Sequence, residues 1–140
     1  MAKQKNKEDK TIVSGKRKTA IAKAAIRQGR GGVKINKKPY QNLSYFKKLI
    51  IQEPIEIAKK TLGDFNFDVD VSVRGGGQTS QIEAARLAIA KALVKFTKSA
   101  ELKKAFLAYD RNILVADIRR KEAYKPNDSK ARSKRQKSYR

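Results

Sequence analysis

The chain has 140 residues, with 35 Lys and Arg against 13 Asp and Glu, a formal charge of +22; self-repulsion of that size weakens a lone compact monomer and favours a polyanionic partner. Cysteine, histidine and tryptophan are absent, which excludes disulfides and removes the side chains most used for metal binding and nucleophilic catalysis. No apolar run approaches the roughly 20 residues that a membrane-spanning helix requires, and the Lys-rich start, Met1 to Lys10, has no apolar stretch behind it to make a secretory signal, so a soluble, cytoplasmic protein with no membrane partner is expected.

The charge is unevenly placed. Residues 1–60 hold 17 basic and 4 acidic side chains, 61–110 hold 7 and 6, and 111–140 hold 11 and 3. This is the pattern of an ordinary domain core with adhesive ends.

Residues 1–10 read as a flexible lead that only a partner would order. Thr11 to Val13 and Thr19 to Ile26 carry short alternations of Ile, Val and Ala, separated by Ser14-Gly15-Lys16-Arg17-Lys18. A helix competes for the Ala-rich second stretch. However, Gln28-Gly29-Arg30-Gly31-Gly32 followed by Val33 to Asn36 suggests a glycine hairpin between strands. Leu43 to Ile51 and Ile55 to Leu62 read as two helices, with Pro54 opening the second and Gly63 stopping it.

Phe65 to Val73 gives the clearest strand, five apolar residues alternating with four polar ones, so one face is buried and the other wet. Gly75-Gly76-Gly77 ends it. Gln78 to Phe96 follows as an amphipathic helix whose Ile82, Ala85, Ile89, Leu93 and Phe96 form one stripe. Ser99 is placed to cap a further helix, Ala100 to Ala108. Strands, helices, a strand and more helices make an α+β layered domain over residues 11–124. From Lys125 to Arg140 the only apolar contacts on offer are Ala131 and Tyr139. That is too little to fold alone, so the segment is an extended basic arm.

Four features bear on chemistry. Gly75-Gly76-Gly77 before a helix leaves free N–H groups that suit an anion, although a plain tight turn needs the same glycines. No Gly-Lys-Ser/Thr follows and the spacing fits no dinucleotide fingerprint, so an ATPase is unsupported. Asp68 and Asp70 share a strand face, and alternation already explains them as its solvated side. Lys16-Arg17-Lys18 reads as a phosphate contact rather than as solvated charge when set beside the other basic segments. In the tail, Tyr139 among cations suits stacking on a base or sugar, and Arg forks suit phosphate oxygens.

Three stretches resemble a known family. Ser14 to Ile26 (SGKRKTAIAKAAI) with Val33 to Pro39 (VKINKKP) looks like the opening of the universal ninth small-subunit ribosomal protein family. Val71 to Val94 (VSVRGGGQTSQIEAARLAIAKALV) looks like its central signature, and Ala131 to Arg140 (ARSKRQKSYR) resembles its archaeal/eukaryotic C-terminus. Bacterial members typically end in Ser-Lys-Arg, which this chain does not. Between Tyr124 and Ser129 it has Lys125-Pro126-Asn127-Asp128 where members commonly carry glycine, which bears on the arm's path.

The resemblance implies an α+β two-layer sandwich, a sheet covered by helices, similar to the second domain of ribosomal protein five. It also implies a structural, non-enzymatic place in the small-subunit head among neighbouring ribosomal proteins, without cofactor or metal. By matched position, Lys16, Arg17, Lys18, Arg74, Gly75, Gly76, Gly77 and Gln78 would face rRNA, as would Lys130, Arg132, Lys134 and Arg135 along the arm. Lys137, Ser138, Tyr139 and Arg140 would lie nearest P-site tRNA. Two other classes share the charge or the fold: a free-standing RNA chaperone, told apart by loose binding to many RNAs, and a small phosphotransferase, told apart by ATP binding.

Overall fold

Alternating burial explains why an Ala-rich segment forms a strand here. In Ala20–Gln28 the side chains of Ala20, Ala22, Ala24 and Ile26 are fully buried while Ile21, Lys23 and Arg27 face outward. A period of two satisfies a sheet with one covered face. The structure, a computed structural model, describes residues 10–128 and 130–139; the flexible lead expected over residues 1–10 lies outside them apart from Lys10.

The elements in chain order are β1 (Thr11–Arg17), β2 (Ala20–Gln28), β3 (Val33–Ile35), β4 (Lys38–Pro39), α1 (Tyr45–Leu62), β5 (Phe67–Arg74), α2 (Gln78–Thr97) and α3 (Ala100–Tyr109), with short 3-10 turns at Tyr40–Asn42 and Arg111–Ile113. The five strands form one sheet in the order β1-β2-β5-β3-β4, with β3 parallel to β5 and the other neighbours antiparallel. Helix α2 lies along β1 and β2. It presents Ile82, Ala85, Ile89 and Leu93 to the core, and α1 and α3 add Ile51, Ile55, Leu102 and Phe106. This is the expected α+β architecture, helices on one face of a sheet.

Small residues set how closely the layers approach. A Cβ built on Gly15 of β1 would lie 2.6 Å from the Ala84 carbonyl oxygen and 2.8 Å from the Ala88 nitrogen. Strand β1 therefore packs directly on the backbone of α2, and only glycine fits.

Three expectations are corrected. Strand β1 runs without a break through Ser14 to Arg17, pairing Gly15 with Ala22 and Arg17 with Ala20; the interruption expected at Ser14–Lys18 is only the turn at Lys18-Thr19. Strands β2 and β3 are not a hairpin, because β5 enters between them and pairs with both. The glycine segment instead spans two strand spacings, about 9–10 Å. It bonds to the start of β5 on the way: the Gly29 N–H donates to the Asn66 carbonyl (2.9 Å) and the Val69 N–H donates to that of Gly32 (2.8 Å).

The two helices expected around Pro54 are one helix, α1. An internal proline costs about 3 kcal/mol. Here its ring is fully buried, and Ile51, Ile55 and Ala58 continue the same inward stripe on both sides of it. Burying an Ile side chain contributes about 1.5–3 kcal/mol, so packing offsets the lost bond. Gly63 ends the helix as expected, its N–H bonding to the Lys59 carbonyl. Ser99 caps α3, its Oγ accepting the Leu102 N–H (3.3 Å).

Candidate nucleic-acid interface

Covering one face of the sheet leaves the other bare, and its side chains follow from strand alternation. The open face carries Ile12, Ser14 and Lys16 from β1, Ile21, Lys23 and Arg27 from β2, Asp70, Ser72 and Arg74 from β5, and Lys34 from β3. Register lays these out in rows: Lys16 beside Ile21 beside Arg74; Ser14 beside Lys23 beside Ser72; Ile12 beside Ala25 beside Asp70 beside Lys34. Lys23 is thus diagonal to both Lys16 and Arg74, roughly 7–8 Å away across the pleat. Among the described residues, Lys16, Lys23, Lys34 and Arg74 take part in no ion pair. Four exposed cations spaced across one open face are arranged for an extended anion.

The two carboxylates on this face have different roles. Asp70 is exposed. Asp68 accepts the N–H groups of Gly32 (2.9 Å) and Arg30 (3.1 Å), and chiefly the Gly32 bond holds its carboxyl below the ordinary carboxylate range. It tethers the glycine segment to β5, which fits a structural part better than acid–base work.

At the end of the face, the backbone turns through Gly75 (φ 71°) and Gly76 (φ 66°), left-handed conformations that favour glycine. Both also lie tight against the β1–β2 turn: a Cβ on Gly75 would meet the Thr19 carbonyl oxygen at 2.8 Å, and one on Gly76 the Ala20 Cβ at 2.9 Å. Gly77 then starts α2 with no side-chain cap. Its surroundings are open, so the first N–H groups of the helix can meet an outside acceptor. Gln81 Nε2 bonds the Gly75 carbonyl (3.1 Å), and Lys47 Nζ reaches Gln78 Oε1 (2.7 Å).

The structure therefore brings Lys16 to Lys18 and Arg74 to Gln78, distant in sequence, to the same end of the sheet. It does not treat the first three alike. Lys16 and Lys18 are exposed. Arg17 alternates to the covered side, where Nε donates to Glu83 Oε2 (2.6 Å) and Nη1 lies 2.8 Å from Asp117 Oδ2, its side chain only 19% exposed. Its guanidinium is held by two carboxylates, so the surface cations of this cluster are the two lysines.

Along the arm, Lys130, Arg132, Lys134, Arg135, Lys137, Ser138 and Tyr139 are all exposed and in neither helix nor strand. Arg132 Nε bonds Glu122 Oε2 (2.9 Å), and the Arg135 N–H reaches Asp128 Oδ1 (3.4 Å). Arg140 lies outside the described residues. Among the described residues, no group of His, Cys, Asp or Glu is placed to hold a metal, and no helix is long and apolar enough to cross a membrane.

The sequence reading missed Lys23, Lys34 and Lys47. The first two occupy outward positions of strands and are legible from alternation. Lys47 reaches α2 from a different helix and has no local signal.

Residues 15–140 match the family described as ribosomal protein S9/S16. Proteins named small ribosomal subunit protein uS9 from Methanococcus maripaludis and Methanococcus vannielii are each 49% identical over 129 residues, covering 90% of this chain and 95% of theirs. The chain belongs to the ribosomal protein S9/S16 family, structural constituents of the small ribosomal subunit and not enzymes.

Proposed function

We propose that this chain binds small-subunit rRNA in the subunit head through the open sheet face and its triglycine end, and that its C-terminal arm reaches P-site tRNA in the cytoplasmic ribosome. The observation that carries the rRNA reading is the set of exposed cations Lys16, Lys23, Lys34 and Arg74 on one uncovered face, in no ion pair among the described residues. Folded RNA offers closely spaced phosphates, and each cation that meets one releases a counterion. Contacts of this kind read backbone and shape, which suffices for one fixed position on a large RNA. Gly75 to Gln78 add backbone donors where a phosphate can come close. Neighbouring ribosomal proteins complete the surroundings.

The arm extends this logic. With Tyr139 exposed at 88% and, among the described residues, neither helix nor strand beyond the 3-10 turn at Arg111–Ile113, the segment gives up few folded contacts on leaving the body and gains order on entering a cleft. Lys130, Arg132, Lys134 and Arg135 would follow rRNA, leaving Lys137, Ser138, Tyr139 and Arg140 for tRNA.

The test is retention on the particle. The full chain should co-sediment with small subunits through a high-salt wash, because many simultaneous contacts and a shaped site outlast screening. Release in that wash, together with equal binding to unrelated RNAs, would make it a loose RNA chaperone instead.

A further inference from the structure

Arg17 and Asp117 join the first strand to the root of the arm. After Ile113, the last fully buried residue, the chain leaves the core. Four residues on, Asp117 turns back to Arg17, with side chains 16% and 19% exposed. Asp117 also accepts the Arg119 N–H (2.9 Å) and pairs with Arg119 Nη2 (2.6 Å). Arg120 Nη1 bonds the carbonyl oxygens of Asp117 (3.3 Å) and Arg119 (3.0 Å). A segment without helix or strand is thereby given a fixed local shape.

The consequence is a collection of cations. Lys18, Arg119, Arg120 and Lys121 are all exposed, and together with Arg17 they line one shallow hollow between the β1–β2 turn and the arm root. Lys18 comes from about a hundred positions earlier in the chain. Arg119 is paired with Asp117, which leaves Lys18, Arg120 and Lys121 as like charges held together, unfavourable in the free protein unless an anion fills the space between them. The hollow is open and lined by these basic residues alone, their side-chain stems forming its floor, so their charged ends suit a run of backbone phosphates.

We infer that the Arg17–Asp117 pair is a strap that holds Arg119, Arg120 and Lys121 beside Lys18, and that these cations form a binding site for RNA backbone phosphates where the arm leaves the domain. The inference rests on the rRNA reading above and assigns Arg17 a positioning role within it. The strap also sets the direction in which the arm departs, anchoring it to the end of the sheet that carries the triglycine turn.

Asp117→Asn separates this from simple charge counting. The substitution makes the chain more positive, so if Asp117 only neutralises cations, binding to transcribed small-subunit rRNA should tighten. If it is the strap, binding weakens by about three- to tenfold as the preorganised site is lost, and amide exchange at Ala116 to Lys121 speeds up in the free protein. A second variant, Lys18→Ala with Lys121→Ala, leaves the hydrogen bonds of Asp117, Arg119 and Arg120 in place and should lower the salt slope of binding by roughly one to one and a half units for two lost contacts. Tighter or unchanged binding by Asp117→Asn overturns the strap. An unchanged slope in the double variant overturns the phosphate site while the wild-type chain still binds rRNA with a salt dependence. A wild-type chain that shows no salt-dependent binding overturns the rRNA reading itself.

Discussion

Deleting residues 137–140 is expected to weaken P-site tRNA on subunits that otherwise assemble normally. The arm supports this separation: Lys137, Ser138 and Tyr139 are exposed and belong to no helix or strand, so among the described residues truncation removes nothing that the core packs against. The deletion removes Lys137, the terminal Arg140, and an aromatic ring able to stack. A charge-assisted contact contributes about 1.5–3 kcal/mol in a poorly hydrated site, and stacking on one base about 1–3 kcal/mol. Removing Arg140 alone should therefore weaken tRNA by roughly tenfold or more, and removing all four residues should cost further. Were the arm tip solvated in the subunit, the ion pair would contribute only about 0–1 kcal/mol. The measurement is tRNA affinity on purified subunits with each truncation, at two salt concentrations. Untouched affinity and salt dependence in the four-residue deletion would make the arm an rRNA anchor only.

Replacing Lys16, Lys23, Lys34 and Arg74 together by Ala should flatten the salt dependence of rRNA binding more than any other set of four cations on the domain. Their side chains are exposed on the uncovered face, so melting temperature should change little. Four lost phosphate contacts should reduce the slope of log affinity against log salt by roughly three units. Arg17 is left in place deliberately. Its partners Glu83 and Asp117 would otherwise face one another without a cation, confusing loss of RNA contact with loss of structure. Binding titrations across a range of potassium concentrations measure the slope. If it matches wild type, these cations are merely solvated.

What could be read in advance was what repeats locally. Strand β5 buries one face over eight residues, and helix α2 buries the expected Ile82, Ala85, Ile89 and Leu93 along with Ala84, Leu87, Ala88, Ala90 and Ala92 beyond that stripe; a pattern sustained that long survives whatever surrounds it. The glycine segment after β2 looked like a hairpin because turn chemistry is local, whereas the insertion of β5 depends on a strand about forty positions away. Pro54 looked like a boundary because its propensity cost is local, and the buried stripe from Ile51 to Ala58 that overrides it is tertiary.

The site divides along the same line. Lys16 and Arg17 are neighbours in a basic cluster, and composition cannot tell them apart. The alternation of β1 does: Val13, Gly15 and Arg17 share the covered face, and Ser14 and Lys16 the open one. Extending β1 to Arg17 in the sequence would have separated the ion-paired arginine from the exposed lysines. Nothing local, however, announces that Asp117 and Glu83 meet Arg17 or that Arg119 to Lys121 return beside Lys18.

Whether the open sheet face lies against rRNA is tested most directly by lysine acetylation of assembled small subunits compared with the free chain. Lys16, Lys23 and Lys34, on the uncovered face, should react much more slowly in the subunit. Lys59 and Lys60 on α1 and Lys103 and Lys104 on α3, exposed on the helical side, should change less. Equal reactivity of Lys16, Lys23 and Lys34 in both states, with protection confined to the helical lysines, would contradict the account.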